Sequence, residues 1–475
     1  MTRKSLLLIA FSLVIAANAR GVPPDAQASP AHQSVRTDST QIVDWGSIQV
    51  LNLETAQRIA LADNPSLQAA AARVRQARAR VLQARAAYWP RLDAGASASK
   101  VWLSGNAYET SLQSARFFDP QADVADPEDY YQADLTASWT LFDGFQRRFS
   151  NAFARSGEQE SEASRREGRR LLLSAVASSY YGAQLARENI AIAQADSDFN
   201  QRQLTEAQAR RRVGTGSLSD ELNFEIRGNS AKTSLIESQR QYETALIGLA
   251  ALMGIPEADF PSHIRLEQLE PEAPEDLAHP SVQPLINYAQ EHRPDVLQSQ
   301  MALERLNANV GVARSEFWPS VNLSASVDGS RSNSGDFEED DFGQSVAVAF
   351  SYNLFSGGGR IARLREAKEQ RIEAEKNLED TRIAVCSDVN EALANLKSTQ
   401  EQLALQRTNT ALVQRTRDLV QKEYTAGQAS LVRLNEAQKD LITAQGLLAQ
   451  ARVSLRQAWH NLHTATAQVL TAFEE

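Results

Sequence analysis

Two periodicities share this chain. Tyr131, Ala133, Leu135, Ala137, Trp139 and Leu141 alternate with Gln132, Asp134, Thr136, Ser138 and Thr140, a period of two that gives one apolar and one polar face. Val321, Leu323, Ala325 and Val327 repeat the pattern, and so do Val346, Val348, Phe350, Tyr352 and Leu354. A weaker alternation runs from about Leu92 to Leu103. The pattern therefore predicts four strands in two widely separated pairs, with Leu135, Trp139, Val348 and Phe350 on the apolar face. The other periodicity is helical. Phe145 to Val213 and Arg360 to Ala426 each predict a helix on the order of 100 Å long, at about 1.5 Å per residue. Return helices are expected from Leu218 to Met253 and from Leu431 to Leu470. Val385, Val389, Ala392, Leu396, Thr399 and Leu403 make a coiled-coil spacing whose small and polar members suit packing on several neighbours.

Proline and glycine punctuate this layout. All fifteen prolines lie outside Glu128–Ile255 and Ser320–Glu475, because proline interrupts helix and ladder hydrogen bonds. Gly214 and Gly427 mark the helical turns, since glycine accepts the left-handed geometry that ends a helix. The order of motifs occurs twice. Tyr88-Trp89-Pro90 returns as Phe317-Trp318-Pro319, Leu141-Phe142-Asp143-Gly144 as Leu354-Phe355-Ser356-Gly357, Asn64-Pro65 as Arg293-Pro294, and Val213-Gly214 as Ala426-Gly427. Residues 49–255 and 285–475 thus read as two copies of helix, strand pair and long helical hairpin. The acidic, proline-rich segment 256–284 links them, and the strand-flanking stretches 104–130 and 329–343 read as solvated polar loops.

Strands of about ten residues with one apolar face suit a transmembrane barrel wall with a polar lumen. Four cannot close one. An open edge in lipid leaves backbone groups unpaired at several kcal/mol each, on the order of a lost hydrogen bond in hydrocarbon, so the chain must oligomerise. Two copies would supply eight strands and three would supply twelve, with the helical hairpins closing into a second cylinder beneath. Trp89, Pro90, Leu141, Phe142, Gly144, Trp318, Pro319, Leu354, Phe355 and Gly357 stand where helix and strand meet, at the expected membrane interface.

The amino terminus adds an address. Arg3 and Lys4 precede an apolar run from Leu6 to Ala17, and Ala17-Asn18-Ala19 fits a cleavage site, so residues 1–19 read as a signal peptide and 20–48 as a flexible leader. The single cysteine, Cys386, is far from that site and offers no thiol for a lipid anchor there. No later segment has the apolar run of a membrane-spanning helix. A net charge of −10 without a basic stripe argues against nucleic acid.

Nothing suggests an enzyme. Ser356-Gly357-Gly358-Gly359-Arg360 lacks the lysine and spacing of a phosphate loop, and a strand-to-helix joint explains its glycines. His460 and His463 lack a third metal ligand nearby, and no nucleophile–base constellation or cofactor motif is present.

In this doubled order the motifs resemble those of the TolC-like outer-membrane efflux proteins, together with His292-Arg293-Pro294-Asp295, Val213-Gly214-Thr215-Gly216 and Tyr424-Thr425-Ala426-Gly427. The resemblance covers nearly all of the mature chain. It implies a mainly α homotrimer, with a 12-stranded outer-membrane β-barrel continued by a long periplasmic α-helical barrel. It also implies a passive exit duct for drugs or, in type I secretion, proteins. Partners would be a periplasmic adaptor and an inner-membrane pump or ABC transporter, with docking at Val213, Gly214, Thr215, Gly216, Ala426 and Gly427. Asp220 and Tyr424 fall on the family's periplasmic gate positions. Ala429 and Arg433 depart from that pattern, where an arginine and an acid are expected, and Glu436 preserves an acid. An Arg433 link to Asp220 or Glu436 is the expected substitute. The alternative reading is a periplasmic adaptor, which also carries a long hairpin, though normally one rather than two.

Overall fold

A computed structural model of the chain describes residues 48–473; the expected signal peptide and the leader up to residue 47 lie outside the described residues. The elements in order are β1 (Val50–Leu51), α1 (Leu53–Asp63), α2 (Pro65–Ala86), β2 (Arg91–Val101), α3 (Gly105–Phe118), β3 (Glu128–Phe142), α4 (Gln146–Arg212), α5 (Leu218–Met253), β4 (Arg265–Leu266), α6 (Val282–His292), α7 (Pro294–Ser315), β5 (Ser320–Ser332), β6 (Phe342–Ser351), α8 (Gly359–Thr425) and α9 (Leu431–Ala465).

The four long strands form one antiparallel sheet in the order β2-β3-β5-β6, so β2 and β6 have unpaired outer edges. Register carries the apolar face across all four strands. Trp139 faces Leu323, which faces Val348; Leu92 faces Ala137, then Ala325 and Val346. The next row holds Ala94, Leu135 and Val327, with Gln344 as its polar member. The other face is polar, with Thr140 donating to Asn322 (2.9 Å) and Ser326 paired with Ser345 (2.9 Å). A bulge between Thr140 and Phe142 shifts the end of β3 by one residue, so Phe142 rather than Leu141 sits opposite Val321. β6 stops at Ser351, opposite Ser320; Pro319 has no N–H to extend the ladder, so Tyr352 and Leu354 leave it.

The helices form a wall beside one another. α4 packs on α2 and α5 on one side and on α7 and α9 on the other, and α8 packs on α7 and α9. Two members of the wall, α4 and α8, are unbroken helices of 67 residues each. The other two are jointed at mid-height, where two sequence-distant ends meet. Asn64 donates through Nδ2 to the Leu252 carbonyl at the end of α5 (2.9 Å), while its Oδ1 accepts from Ser66 N (2.9 Å) at the start of α2. Arg293 plays the matching part, donating to the Ala465 carbonyl at the end of α9 (3.2 Å) just before Pro294 opens α7. Each joint thus satisfies a helix-end carbonyl that would otherwise be left without a partner, and each begins the next helix with proline at its first position.

Arg293 is nearly buried and also binds Asp295 (2.6 Å) and Asp388 (2.8 Å). Burial alone would raise the Asp295 carboxyl, but the Arg293 hydrogen bonds and charge outweigh it and hold Asp295 below the usual aspartate range. Arg293→Ala is expected to cost about 2–4 kcal/mol, somewhat less than a fully buried pair because both carboxylates keep some solvent. Thermal melting of the helical signal checks this. A depressed carboxylate stabilises the fold above its unfolded pKa and loses that contribution as pH falls through the folded value. The parent–variant difference should therefore persist at neutral pH and shrink only below about pH 4.

The α8 spacing buries as its pattern suggests: Val385, Val389, Ala392, Leu396, Thr399 and Leu403 all lie inside, against α6, α7 and α9. A second stripe on α8 remains open. Ile361, Ile372, Ile383 and Leu405 are exposed at multiples of eleven residues, followed by Leu412 and Leu419 at intervals of seven. Eleven-residue spacing keeps a stripe nearly parallel to a straight helix, whereas seven imposes a left-handed coil. At the opposite lateral face, Leu82 on α2 and Leu222, Ile226, Ile236 and Ile247 on α5 are exposed as well.

Two expectations need correction, and the linker proves to be structured. Stretch 104–130 is not all loop: Ser104 caps the 14-residue α3 by accepting from Ala107 N (3.4 Å). The final helix ends at Ala465 rather than Leu470, because Ala467 turns to a φ of 63° before a short 3-10 segment. The 256–284 linker is a strap with structure of its own. Its β4 pairs in parallel with β1, and Asp276 accepts from Arg456 (2.9 Å), while its backbone carbonyl accepts from Gln400 and Trp459. Glu272, nearly buried, lies between Arg407 (2.9 Å) and Arg452 (3.7 Å).

Candidate functional site

Two regions could carry function, the sheet with its joints and the far tip of the hairpins. At the first joint α2 ends at Ala86, Trp89 and Pro90 lie in the turn before β2, and both Trp89 and Trp318 are exposed. Trp139 Nε1 donates to the Tyr88 carbonyl (3.0 Å). Gly144 has a φ of 65°, and a Cβ there would meet Trp318 Cβ at 2.5 Å and the Ser315 carbonyl at 2.6 Å, so no other residue fits. Gly357 has φ 59° in open space. Leu354 and Phe355 project almost fully exposed beside it.

Arginine holds each joint together, and the sequence reading missed both. Arg147 lies over the Tyr88 ring (5.4 Å) and donates to Asp143 (2.8 Å), the Ala87 carbonyl (3.4 Å) and the Leu141 carbonyl (3.2 Å). Arg360 lies over the Phe317 ring (5.3 Å) and donates to the Glu316 carbonyl (3.1 Å). A signal for them exists: each stands three residues after Gly144 or Gly357, so the repeated unit reads Leu-Phe-x-Gly-x-x-Arg.

At the tip the two turns share one geometry. Thr215 N donates to the Arg210 carbonyl (2.9 Å) and Gly214 N to that of Arg211 (3.0 Å); Gln428 N donates to Glu423 (2.8 Å) and Gly427 N to Tyr424 (2.9 Å). Both are Schellman closures with glycine left-handed, at φ 82° and 74°. Each return helix then starts on a serine cap, Ser217 accepting from Asp220 N (3.0 Å) and Ser430 from Arg433 N (3.3 Å). Val213 is exposed, as are Thr215 and Ala426, while a Cβ at Gly216 would meet Arg210 Cβ and Arg211 N at 2.9 Å.

The hairpins meet around an apolar cluster of Phe199, Ala207, Phe224, Val420, Leu434 and Ala437. Tyr424 packs edge-on to Phe224 (6.4 Å) with Arg210 over its ring (5.6 Å). Burial pushes the Tyr424 phenol up, and the negative charge of Asp220 adds to this. Arg433 does not join them. It pairs with Glu423 (3.2 Å) across its own turn, as Arg211 pairs with Glu221 (2.6 Å) across the other. Glu436 stays exposed and is outside both pairs. Asn435 to Asn223 (3.1 Å) and Gln438 to Asp196 (2.8 Å) complete the contact between hairpins.

The chain matches the outer membrane efflux protein family over residues 57–255 and 285–468. It belongs to that family. It is 26% identical to the pyoverdine export outer membrane protein OpmQ of Pseudomonas aeruginosa over 98% of this chain and 97% of that one. It is 25% identical to the cation efflux system protein CusC of Escherichia coli K12 over 96% and 98%. The fold is also that of solved channels of the group. The crystal structure of CusC gives a TM-score of 0.73 at 22% identity, covering 88% of this chain and 92% of that one. The Campylobacter jejuni CmeC outer membrane channel gives 0.74 at 20%, covering 87% and 85%. These relatives are efflux channels rather than enzymes, and the adaptor reading has no support among them. Among the described residues no helix is long and apolar enough to cross a membrane.

Proposed function

We propose that three copies of this chain close into one duct through the outer membrane, through which an inner-membrane pump, joined by a periplasmic adaptor, expels its cargo. The observation that carries this is the pair of unsatisfied sides on one chain. β6 and β2 are open edges at opposite ends of the sheet. Because the sheet is antiparallel throughout, β6 of one copy can pair with β2 of the next in the same sense, giving twelve strands and no edge. Below, the exposed stripe of α8 would meet that of α2 and α5 on the next copy, closing the helical barrel.

The apolar face fits lipid. Phe342 and Phe350 are eight residues apart on β6, as are Tyr131 and Trp139 on β3. At ~3.4 Å per residue and a tilt near 40°, the aromatic ends stand roughly 20 Å apart, close to the outer-membrane apolar band. In this reading residues 49–255 and 285–475 are two repeats joined by the strap, and export of the chain relies on its cleaved signal peptide. Mass measurement in mild detergent is expected to give a trimer; a stable monomer would overturn the proposal.

The tip then acts as the gate. Asp220 and Tyr424 lie at the contact between hairpins, and Gly214 and Gly427 at the end an adaptor can reach. Exposed polar links are worth under ~1 kcal/mol each, yet three copies sum to ~3 kcal/mol, on the order of 100-fold in the closed-to-open ratio. Asp220→Ala with Tyr424→Phe is expected to raise single-channel conductance without lowering trimer yield. Bilayer recordings identical to the parent would remove both residues from the gate.

A further inference from the structure

The outer loop of the first strand pair carries an unexplained feature. α3 packs against no other helix or strand beyond glancing contact, and none of its residues is buried. Its half-covered side, Ala107, Tyr108, Leu112 and Ala115, faces its own loop, where Tyr108 reaches Asp123 (3.4 Å). Its end does not. Phe117 and Phe118 form an edge-on pair (5.3 Å) and are 83% and 87% exposed. Two adjacent phenylalanines left in water are a cost that a single chain does not recover.

We propose that α3 is a clamp between copies, with Phe117 and Phe118 seated on the β5–β6 turn of the next chain. This rests on the trimeric reading and adds a contact that strand pairing does not require. Continuity with the expected seam carries it. α3 begins four residues after Val101, at the outer end of the open edge β2. The β6 edge that β2 must meet begins at Phe342, directly after the turn, at the same outer end of the sheet. That turn offers an apolar seat, Phe337 against Phe342 at 5.5 Å.

The seam also needs help. Between Leu92 and Lys100 the lipid-facing residues of β2 are only Ala94, Ala96 and Ala98. Alanine pairs contribute little to a ladder compared with aromatic or β-branched ones. β2 therefore brings only small side chains to this stretch of the seam, and the clamp sits at its outer end. An anionic lipid surface is the poorer seat, because Asp119, Asp123, Asp126, Glu128 and Asp129 surround the clamp on its own loop.

The test uses the full chain in a Cys386→Ser background, with Phe118→Cys and Phe337→Cys together and singly, purified in mild detergent and treated with a short bis-maleimide. Boiled gels should show cross-linked dimers and trimers for the double variant only. Phe117→Ser with Phe118→Ser should lower the temperature of trimer dissociation by roughly 5 °C or more. If trimers form by mass but neither cross-link nor shift is seen, the clamp is overturned while the trimer stands. If no trimer forms in the parent, the underlying reading fails instead. Quenching by brominated lipid that is greater in a Phe118→Trp variant than in the parent with its own six tryptophans, without cross-linking, would place the aromatic pair in the membrane and also overturn the clamp.

Discussion

Val346→Arg should abolish outer-membrane assembly, whereas Ala347→Arg should assemble normally. The two residues are neighbours on β6 but face opposite sides of the sheet. Val346 lies in the row with Leu92, Ala137 and Ala325, near the middle of the apolar band; Ala347 lies opposite Ser324 and Ser138 on the polar face. An arginine facing lipid near the midplane costs about 2–4 kcal/mol, and in the proposed trimer three copies would multiply that. Facing a wet lumen it costs little. Fractionation and heat-modifiable migration of both variants give the answer. Equal tolerance would mean that the apolar face does not meet lipid.

The second large effect is expected at the tip. Both Gly214 and Gly427 have left-handed backbone with no heavy atom within 4 Å of a would-be Cβ. A tryptophan at each would pay about 1–2 kcal/mol of backbone strain and would then project outward, because nothing within the chain receives it. Gly214→Trp with Gly427→Trp should therefore leave trimers and their conductance intact while export is lost and adaptor cross-linking falls. Export at the parent level would place the docking surface elsewhere.

Periodicity made the sheet and the long helices legible, because a two-residue or helical repeat sustained over many residues has few competing explanations. The return helix from Leu218 to Met253 matches in both bounds. Details set by single tertiary contacts were not legible. The bulge that replaces Leu141 by Phe142 depends on how β3 leaves β5, which no alternation reports. α3 was hidden by its polar composition. The joints at Asn64 and Arg293 could be seen as counterparts, but not as caps on helices that end at Met253 and Ala465. At the tip, the glycines announce the turns. The partner of Arg433 could not be read, because Glu423 competes with Asp220 and Glu436 and only side-chain geometry selects it.

The equal length of α4 and α8 has a consequence for symmetry. Two unbroken helices of 67 residues, each ended by the same closure and the same serine cap, bring both turns of a chain to nearly one height. A trimer would then end in a level rim of six turns alike in backbone shape. They are not alike in charge. Asp220 and Arg433 occupy the same place after their caps, so the sign at that place would alternate around the rim. Any ring of six identical partner subunits could seat on it by shape, yet would meet two chemically distinct kinds of socket, three of each.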